Sequence, residues 1–304
     1  MNDVKPGSGR AYFLAARPKT LAAAFSPVII GSALAYGDGG FDVQVAVLCA
    51  VFAALMQIAA NFINDLCDYV RGSDRASDRL GPERACAGGW LSVGQMRRAS
   101  VITLVLAAVV GLAMLWMVRE RVRYGGLELL ATGALCMLFA VLYSTHLSYR
   151  GLGDVAVLLF FGIVPVCATY YVQAACLSAP VVMASLACGL AVDALLTVNN
   201  YRDFEQDRLS GKRTLVARYG PAFGRGLYLG LGIVAALCCL PLLVTDRLQP
   251  IGFIYSAGGY LYLHVSTWHN LCAIGRGREL NKLIARTSRN ILFLALLLAV
   301  ALMS

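Results

Sequence analysis

Residues 43–68 read VQVAVLCAVFAALMQIAANFINDLCD, a mostly apolar run that ends in a cluster of amides and carboxylates. A helix that crosses the ~30 Å hydrocarbon core of a bilayer needs about 20 predominantly apolar residues. The run therefore predicts a transmembrane helix over residues 43–63, and Asn64, Asp65 and Asp68 lie just beyond its apolar part.

Apolar runs of this kind recur along the whole chain of 304 residues, which is 59% hydrophobic and only 14% charged. Soluble domains average about 45–50% apolar and about 25% charged residues. We therefore predict an all-α, multi-span transmembrane bundle that forms one domain over residues 1–304. Nine spans are predicted, roughly at 20–36, 43–63, 99–118, 126–145, 152–173, 179–200, 223–244, 249–267 and 288–303.

The distribution of positive charge predicts the orientation of the bundle. Of the 26 Lys and Arg residues, 22 lie in the segments on the same side as the N-terminus. Cytoplasmic loops carry such an excess, so the N-terminus and the long loops are expected in the cytoplasm, with the bundle in the plasma (inner) membrane. The net charge of +9 is divided among these short loops, which argues for a lipid bilayer and against nucleic acid as the partner.

Two of the loops on that side begin with similar acidic clusters. Residues 61–84 read NFINDLCDYVRGSDRASDRLGPER, and residues 199–214 read NNYRDFEQDRLSGKRT. Each contains Asn-x-x-x-Asp, which places both polar side chains on one face of a helix. The copies lie 135 residues and four predicted spans apart, so they share a membrane side. This spacing predicts two four-helix units plus one helix, with the two acidic helix ends facing each other.

Carboxylates that converge at a membrane surface repel one another unless a cation joins them. Mg²⁺ prefers oxygen ligands and is often shared between carboxylates and substrate phosphates, so we expect it as the cofactor. Basic residues follow both acidic clusters and could hold a diphosphate; others among them could contact lipid headgroups. They are Arg71, Arg75, Arg79 and Arg84 after the first cluster and Arg208, Lys212 and Arg213 after the second.

At these residues the sequence resembles the UbiA superfamily of intramembrane prenyltransferases, and most closely the 1,4-dihydroxy-2-naphthoate polyprenyltransferases of menaquinone synthesis. The resemblance covers nearly the whole chain. It is carried by RPKTLAAAFSPVIIGSALAY (17–36), NDLCDYVRGSDRASDRLGPERA (64–85), YRGLGDVAVLLFFG (149–162), TYYVQ (169–173) and NNYRDFEQDRLSGKRTL (199–215), with ELNKLIARTSRN (279–290) as a weaker match.

The resemblance implies roles for individual residues. Gly72 occupies the position of a third acid in many relatives, and Asp74 takes that place here. The implied diphosphate contacts are Lys212 and Arg213, with Arg75 and Arg79 as further candidates. The candidate metal ligands are Asn64, Asp65, Asp68, Asp74, Asp203 and Asp207, of which Asp68, Asp203 and Asp207 are also the candidate catalytic residues.

The resemblance further implies Mg²⁺-dependent transfer of a polyprenyl group from polyprenyl diphosphate to 1,4-dihydroxy-2-naphthoate, with loss of CO₂ and diphosphate, to give demethylmenaquinone. Tyr143 and Tyr149 are candidates to stabilise an allylic cation through their ring faces, or else belong to an interfacial aromatic belt. The alternatives are transfer to another aromatic acceptor such as 4-hydroxybenzoate, and a transporter. Transporter sites usually lie near the bilayer midplane, whereas these acids lie at span ends.

Overall fold

The structure is a computed structural model that describes residues 4–72 and 80–304. These residues form helices and loops and contain no strand, which confirms the predicted all-α class. The helices, numbered here in chain order, are α1 (Gly9–Ala16), α2 (Leu21–Gly37), α3 (Val43–Val70), α4 (Val93–Val118), α5 (Leu127–Arg150), α6 (Gly153–Ala174), α7 (Ala179–Arg202), α8 (Phe204–Leu209), α9 (Leu215–Tyr219), α10 (Pro221–Val244), α11 (residues 250–274) and α12 (Leu280–Met303).

Eight described stretches are long and apolar enough to cross a membrane. They correspond to eight of the nine predicted spans, and the first of them joins α1 and α2. The predicted span at 249–267 does form a helix, α11, but it is not among the eight. Polar residues such as His264 and Thr267 lower the mean hydropathy of α11, and both are fully buried against other helices.

The helices begin where the sequence supplies acceptors for their first free N–H groups. The Asp42 carboxylate caps α3 by accepting from the backbone N–H groups of Gln44 (3.0 Å) and Val45 (3.3 Å). Ser92 and Gln95 form a capping box at the start of α4. Such caps stabilise a helix by about 1 kcal/mol each. They set the residues at which α3 and α4 begin.

Helix α7 lies at the centre of the bundle, whereas α4 and α5 lie at its periphery. Most residues of α7 are buried, while the apolar side chains of α4 and α5 are largely exposed, as expected for lipid-facing helices. Helix α3 packs mainly on α4, and α7 packs both on α6 and on α10. Two four-helix units predict that the second long helix of each unit packs on the third, as α3 does on α4 and α7 does on α10.

Helices α6 and α7 approach each other through two glycines. A Cβ atom at Gly162 would lie 2.4 Å from the Cα atom of Gly189, so no side chain fits at this crossing. Small residues at such points let the backbones of membrane helices pack in direct contact. The crossing holds α7, whose end leads into the second acidic cluster, against the middle of α6.

Candidate active site

The polar end of α3 is tied to the loop that precedes α4. Asp65 is 1% exposed, and its two carboxylate oxygens accept hydrogen bonds from the backbone N–H groups of Ala85 (2.9 Å) and Cys86 (3.2 Å). Both oxygens therefore anchor this loop. The predicted role of Asp65 as a metal ligand stays a prediction, and the observed geometry gives it a positioning role instead.

Asn64 and Asp68 share a side of α3, as their spacing predicts, and both contact Arg84. The Arg84 guanidinium donates to the Asn64 amide oxygen at 2.6 Å and forms an ion pair with the Asp68 carboxylate at 3.1 Å. Since Asp65 fixes the backbone beside Arg84, the loop holds this cation above the first acidic cluster. Charge-assisted hydrogen bonds of this kind are among the strong ones in proteins.

The two acidic clusters meet at Asp68. Lys212, which belongs to the loop after α8, places its Nζ atom 3.0 Å from the Asp68 Oδ1 atom. The Tyr149 hydroxyl donates to the same oxygen at 3.2 Å. Residues separated by 144 positions are thus in direct contact, and the two acidic helix ends lie at one end of the bundle as predicted.

The second cluster is held by Arg202 at the end of α7. Its guanidinium grips the Asp203 carboxylate through two hydrogen bonds of 2.8 and 2.6 Å, and it also donates to the Asn281 side-chain oxygen at 2.8 Å. Asn281 in turn donates to the Leu80 carbonyl at 2.9 Å. A Cβ atom at Gly81 would lie 2.9 Å from the Arg202 guanidinium. The loop between α3 and α4, called here the first loop, therefore packs directly against Arg202.

Asp207 is buried beneath these groups in α8. Burial is the main reason that the pKa of its carboxyl rises to about 7. The neighbouring carboxylates of Asp203 and Asp68 raise the pKa further. Lys212 and Arg202 act in the opposite direction without cancelling this effect. Burial therefore disfavours the ionised form of Asp207, and a cation bound beside its carboxyl group would stabilise that form.

The remaining residues that the sequence singled out are Arg213, Asp74, Arg75, Arg79 and Gly72. The Arg213 side chain is exposed, and its backbone N–H donates to the Tyr149 carbonyl at 3.3 Å. Asp74, Arg75 and Arg79 lie outside the described residues, so their roles stay predictions. Gly72 has a φ of +68°, a backbone conformation that an aspartate at this position would adopt only with strain.

The two candidate tyrosines, Tyr149 and Tyr143, lie in different surroundings. The Tyr149 ring is covered by cations, with the Arg71 guanidinium 4.3 Å and the Lys212 ammonium 5.3 Å from its centroid. Tyr143 instead lines a large cavity and lies in a π-helical turn of α5. Of the two, Tyr143 has the position from which a ring could meet an allylic cation.

A cavity of about 970 Å³ extends from the acidic clusters into the bundle. Its walls are formed mainly by apolar side chains of α2 to α6, including the stacked rings of Phe139 and Phe160, whose centroids are 4.0 Å apart. The end near the clusters is lined by Asn64, Arg84, Asn199, Asp203 and Asn281. These five residues, together with Asp68, Lys212 and Asp207, which lie next to them without lining the cavity, are called here the polar mouth. The cavity thus offers charged groups at one end and a long apolar volume behind them.

The residues at the polar mouth fit Mg²⁺ by their chemistry. Asp68, Asp203 and Asp207 offer the hard carboxylate oxygens that this ion prefers, and a bound cation would offset the cost of ionising the buried Asp207 carboxyl. Within residues 4–72 and 80–304, no three acidic, histidine or cysteine side chains are close enough to form a ready-made metal site. In this structure the carboxylates of Asp68 and Asp203 form ion pairs with the protein's own cations, Lys212, Arg84 and Arg202.

Two residues of this site were not predicted from the sequence. Arg202 directly precedes Asp203, and its position at the buried end of a span was a usable signal because a lone buried guanidinium requires an acidic partner. Asn281 belongs to the stretch with the weaker family match. Only the packing of α12 against the first loop reveals its contact with Leu80.

Known proteins share both the sequence pattern and the fold. The profile of the UbiA prenyltransferase family matches residues 24–297. The chain is 37% identical to the 1,4-dihydroxy-2-naphthoate octaprenyltransferase of Escherichia coli (strain K12), covering 86% of this chain and 83% of that protein. It is 32% identical to the protein of the same name from Mycobacterium tuberculosis (strain ATCC 25618 / H37Rv), covering 79% and 80% respectively.

A solved structure of a UbiA homolog from Archaeoglobus fulgidus, bound to DMAPP and Mg²⁺, has the same fold. It superposes with a TM-score of 0.65 at 15% identity and covers 95% of this chain and 99% of that one. The predicted resemblance is therefore confirmed, and the chain belongs to the UbiA prenyltransferase family.

Proposed function

We propose that the protein transfers a polyprenyl group from polyprenyl diphosphate to 1,4-dihydroxy-2-naphthoate, with loss of CO₂ and diphosphate, to give demethylmenaquinone in its reduced, hydroquinone form. The contact of Lys212 with Asp68 carries the proposal, because it joins both acidic clusters at the mouth of one apolar cavity. The names of the bacterial relatives at 32–37% identity support the choice of acceptor.

The diphosphate is held at the polar mouth. Arg84 and Lys212, which pair with Asp68 in this state, turn to the phosphate oxygens, since Arg and Lys are the usual donors to such groups. When bound by the carboxylates of Asp68, Asp203 and Asp207, Mg²⁺ neutralises negative charge on the diphosphate as the allylic C–O bond breaks. The Archaeoglobus fulgidus homolog was solved with DMAPP and Mg²⁺ bound, which supports a prenyl diphosphate and this ion as the ligands.

The apolar cavity receives the prenyl group and keeps water from the allylic cation. Its walls are formed mainly by hydrocarbon and aromatic side chains, and the rings of Tyr143 and Phe139 present π faces that attract a cation. A tail longer than the cavity can continue into lipid between the helices. Tyr149 positions Lys212 and Asp68, because its ring and hydroxyl contact both groups.

The acceptor carbon attacks the allylic cation from within the cavity. A C–C bond forms at the ring carbon that bears the carboxylate, and the bond to that carboxylate breaks to release CO₂, so no net proton is exchanged. Arg17 and Lys19 line the cavity and can pair with the acceptor carboxylate before it leaves. The charge distribution of the loops supports a plasma-membrane protein with this mouth on the cytoplasmic side.

The proposal is tested by incubating purified protein in lipid nanodiscs with labelled polyprenyl diphosphate, Mg²⁺ and each candidate acceptor. We expect labelled demethylmenaquinone and stoichiometric CO₂ from 1,4-dihydroxy-2-naphthoate. Prenylation of 4-hydroxybenzoate with none of the naphthoate would overturn the choice of acceptor. Movement of label across a vesicle membrane without a chemical product would instead support the transporter.

A further inference from the structure

A second pair of acids lies away from the polar mouth. Asp193 is in the interior of α7 and is 5% exposed, and its Oδ1 atom has no hydrogen-bond partner among the described residues. The buried Oδ1 atom of Asp154, in the first turn of α6, likewise has none there. Ionisable side chains inside membrane spans are costly and usually serve a function. Neither residue has a part in diphosphate binding.

The two carboxyl groups belong to helices that pack on each other, α6 and α7, and they interact electrostatically. Among the described residues, the charged group that acts most clearly on Asp193 is the carboxyl group of Asp154. Thr197 lies one helical turn beyond Asp193, and its buried hydroxyl also has no partner among the described residues. A Cβ atom at Gly153 would be in van der Waals contact with Leu196, so the start of α6 packs against the part of α7 that contains Asp193 and Thr197.

Tyr143 connects this pair of acids to the cavity. It lines the cavity, and its hydroxyl would lie 3.8 Å from a Cβ atom at Gly153, the residue next to Asp154. Both Asp154 and Asp193 act electrostatically on Tyr143, as Asp68 and Asp207 do more weakly. The phenol therefore stands between the cavity and the buried carboxyl groups.

Two buried carboxyl groups without a cation cannot both be ionised, because each would bear an uncompensated charge in a low-dielectric region. Buried polar atoms without partners are also unfavourable, so this site favours a proton and a bridging water molecule. Within the described residues, nothing basic is shown to pair with either acid. The chemistry of the site therefore favours one shared proton.

We propose that Asp154 and Asp193 form a carboxyl pair that holds one proton and accepts a second from the hydroxyl of the aromatic acceptor, through Tyr143 and one water molecule. The acceptor O–H proton passes to the Tyr143 oxygen as the Tyr143 proton passes through the water to the ionised carboxylate. The phenolate formed is the stronger nucleophile, and the proton returns by the same route once the C–C bond has formed. The relay rests on the proposed function; the shared proton does not.

Infrared spectroscopy tests the shared proton directly. An Asp207→Asn background removes the carboxyl of the polar mouth, and in it we expect the C=O stretch of a protonated carboxylic acid at pH 7. This band should shift when the aspartate carboxyl carbons carry ¹³C, and it should vanish when Asp154→Asn and Asp193→Asn are added. Absence of the band in the Asp207→Asn protein would overturn the proposal without any need for the other variants to fold.

Steady-state kinetics test the relay. We expect Asp193→Asn to lower kcat/KM for the aromatic acceptor by about 100-fold, within the usual range of general acid–base catalysis, while KM for polyprenyl diphosphate stays unchanged. Ser185→Ala is a matched control, because Ser185 is a buried residue of α7 whose hydroxyl donates to its own helix, to the Val182 carbonyl. An acceptor kcat/KM equal to that of the wild type would overturn the relay.

The two proposals fail separately. If the wild-type protein prenylates no aromatic acceptor, the proposed function fails, and the infrared band still decides whether the pair holds a proton. If the wild type is active and Asp193→Asn lowers the affinity for both substrates equally, the pair serves only to stabilise the fold and the relay is overturned.

Discussion

The polar mouth and a second buried polar cluster, between α10, α11 and α12, differ in how their polar groups are satisfied. In the second cluster, called here the histidine cluster (Tyr228, Tyr260, His264 and Thr287), neutral groups pair with one another. His264 Nε2 lies 2.8 Å from the Tyr228 carbonyl oxygen, and the Tyr228 hydroxyl lies 3.0 Å from Thr287 Oγ1. At the polar mouth, charged side chains pair across elements beside a cavity.

This difference separates a structural network from a binding site. Every partner in the histidine cluster is another part of the bundle, so the cluster stabilises the packing of three helices. At the polar mouth, Lys212, Arg84 and the carboxylates can exchange partners with a ligand of matching charge, and the carboxyl of Asp207 is left without full compensation. Substitutions in the two regions should therefore affect different measurements.

The largest effect is expected from removing a carboxylate at the polar mouth. Asp68→Ala or Asp203→Ala should lower kcat by about 1,000-fold, because charge stabilisation of the leaving group is lost, while the protein still inserts normally. Product formation under saturating Mg²⁺ measures this. Glu205→Ala is the matched control, since this exposed carboxylate lies between Asp203 and Asp207 in sequence and pairs with Arg276 at the surface. Full activity of either aspartate variant would remove that residue from the site.

The next largest effect distinguishes two adjacent cations. Lys212→Ala should raise KM for polyprenyl diphosphate by about 30-fold, since a hydrogen bond to a charged group contributes about 2 kcal/mol. Arg213→Ala should change this KM much less, because the Arg213 side chain is exposed. Initial rates over a range of diphosphate concentrations measure both. Equal losses in the two variants would contradict the assignment of Lys212 as the principal contact.

In the histidine cluster, the largest expected change is in stability. A Cβ atom at Gly232 would lie 2.1 Å from the His264 ring, so Gly232→Ala should lower the free energy of unfolding by about 2–3 kcal/mol through overpacking. Thermal unfolding in detergent measures this, and Gly230→Ala is the control because nothing lies within 4 Å of its Cβ position. The specific activity of the folded fraction should stay unchanged. A loss of specific activity would contradict the assignment of the histidine cluster to stability alone.

The smallest effect is expected from one hydrogen bond of the histidine cluster. Tyr228→Phe removes the contact with Thr287 and should cost about 1 kcal/mol of stability with normal kinetics. The midpoint of thermal unfolding reports it. A change in KM for either substrate would show that the cluster is coupled to the site.

Much of this architecture could be predicted from the sequence. Apolar runs of span length predicted the helices, and the repeated Asn-x-x-x-Asp predicted that both acidic ends face each other, because an even number of spans separates them. The family prediction was confirmed as well. These features depend on local composition and on counting, which the sequence contains in full.

The sequence could not predict which polar atoms meet. Asp65 was grouped with Asn64 and Asp68 as a metal ligand, yet it lies about 100° around the helix from Asn64 and binds the backbone of the loop. Asp193 was counted as part of an apolar span, although an acid inside a span is itself a signal. The contacts of Arg202 with Asn281 depend on how α12 packs, which no local pattern contains.

A double-mutant cycle on Asp68 and Lys212 tests most directly whether the two acidic clusters form one site. Binding of an unreactive thiolo analogue of polyprenyl diphosphate, with Mg²⁺, is measured for wild type, Asp68→Asn, Lys212→Met and the double variant. Groups in contact couple by about 0.5–3 kcal/mol, so we predict a coupling energy of at least about 1 kcal/mol. Effects that add within about 0.3 kcal/mol would place the two residues in separate sites and contradict the assignment.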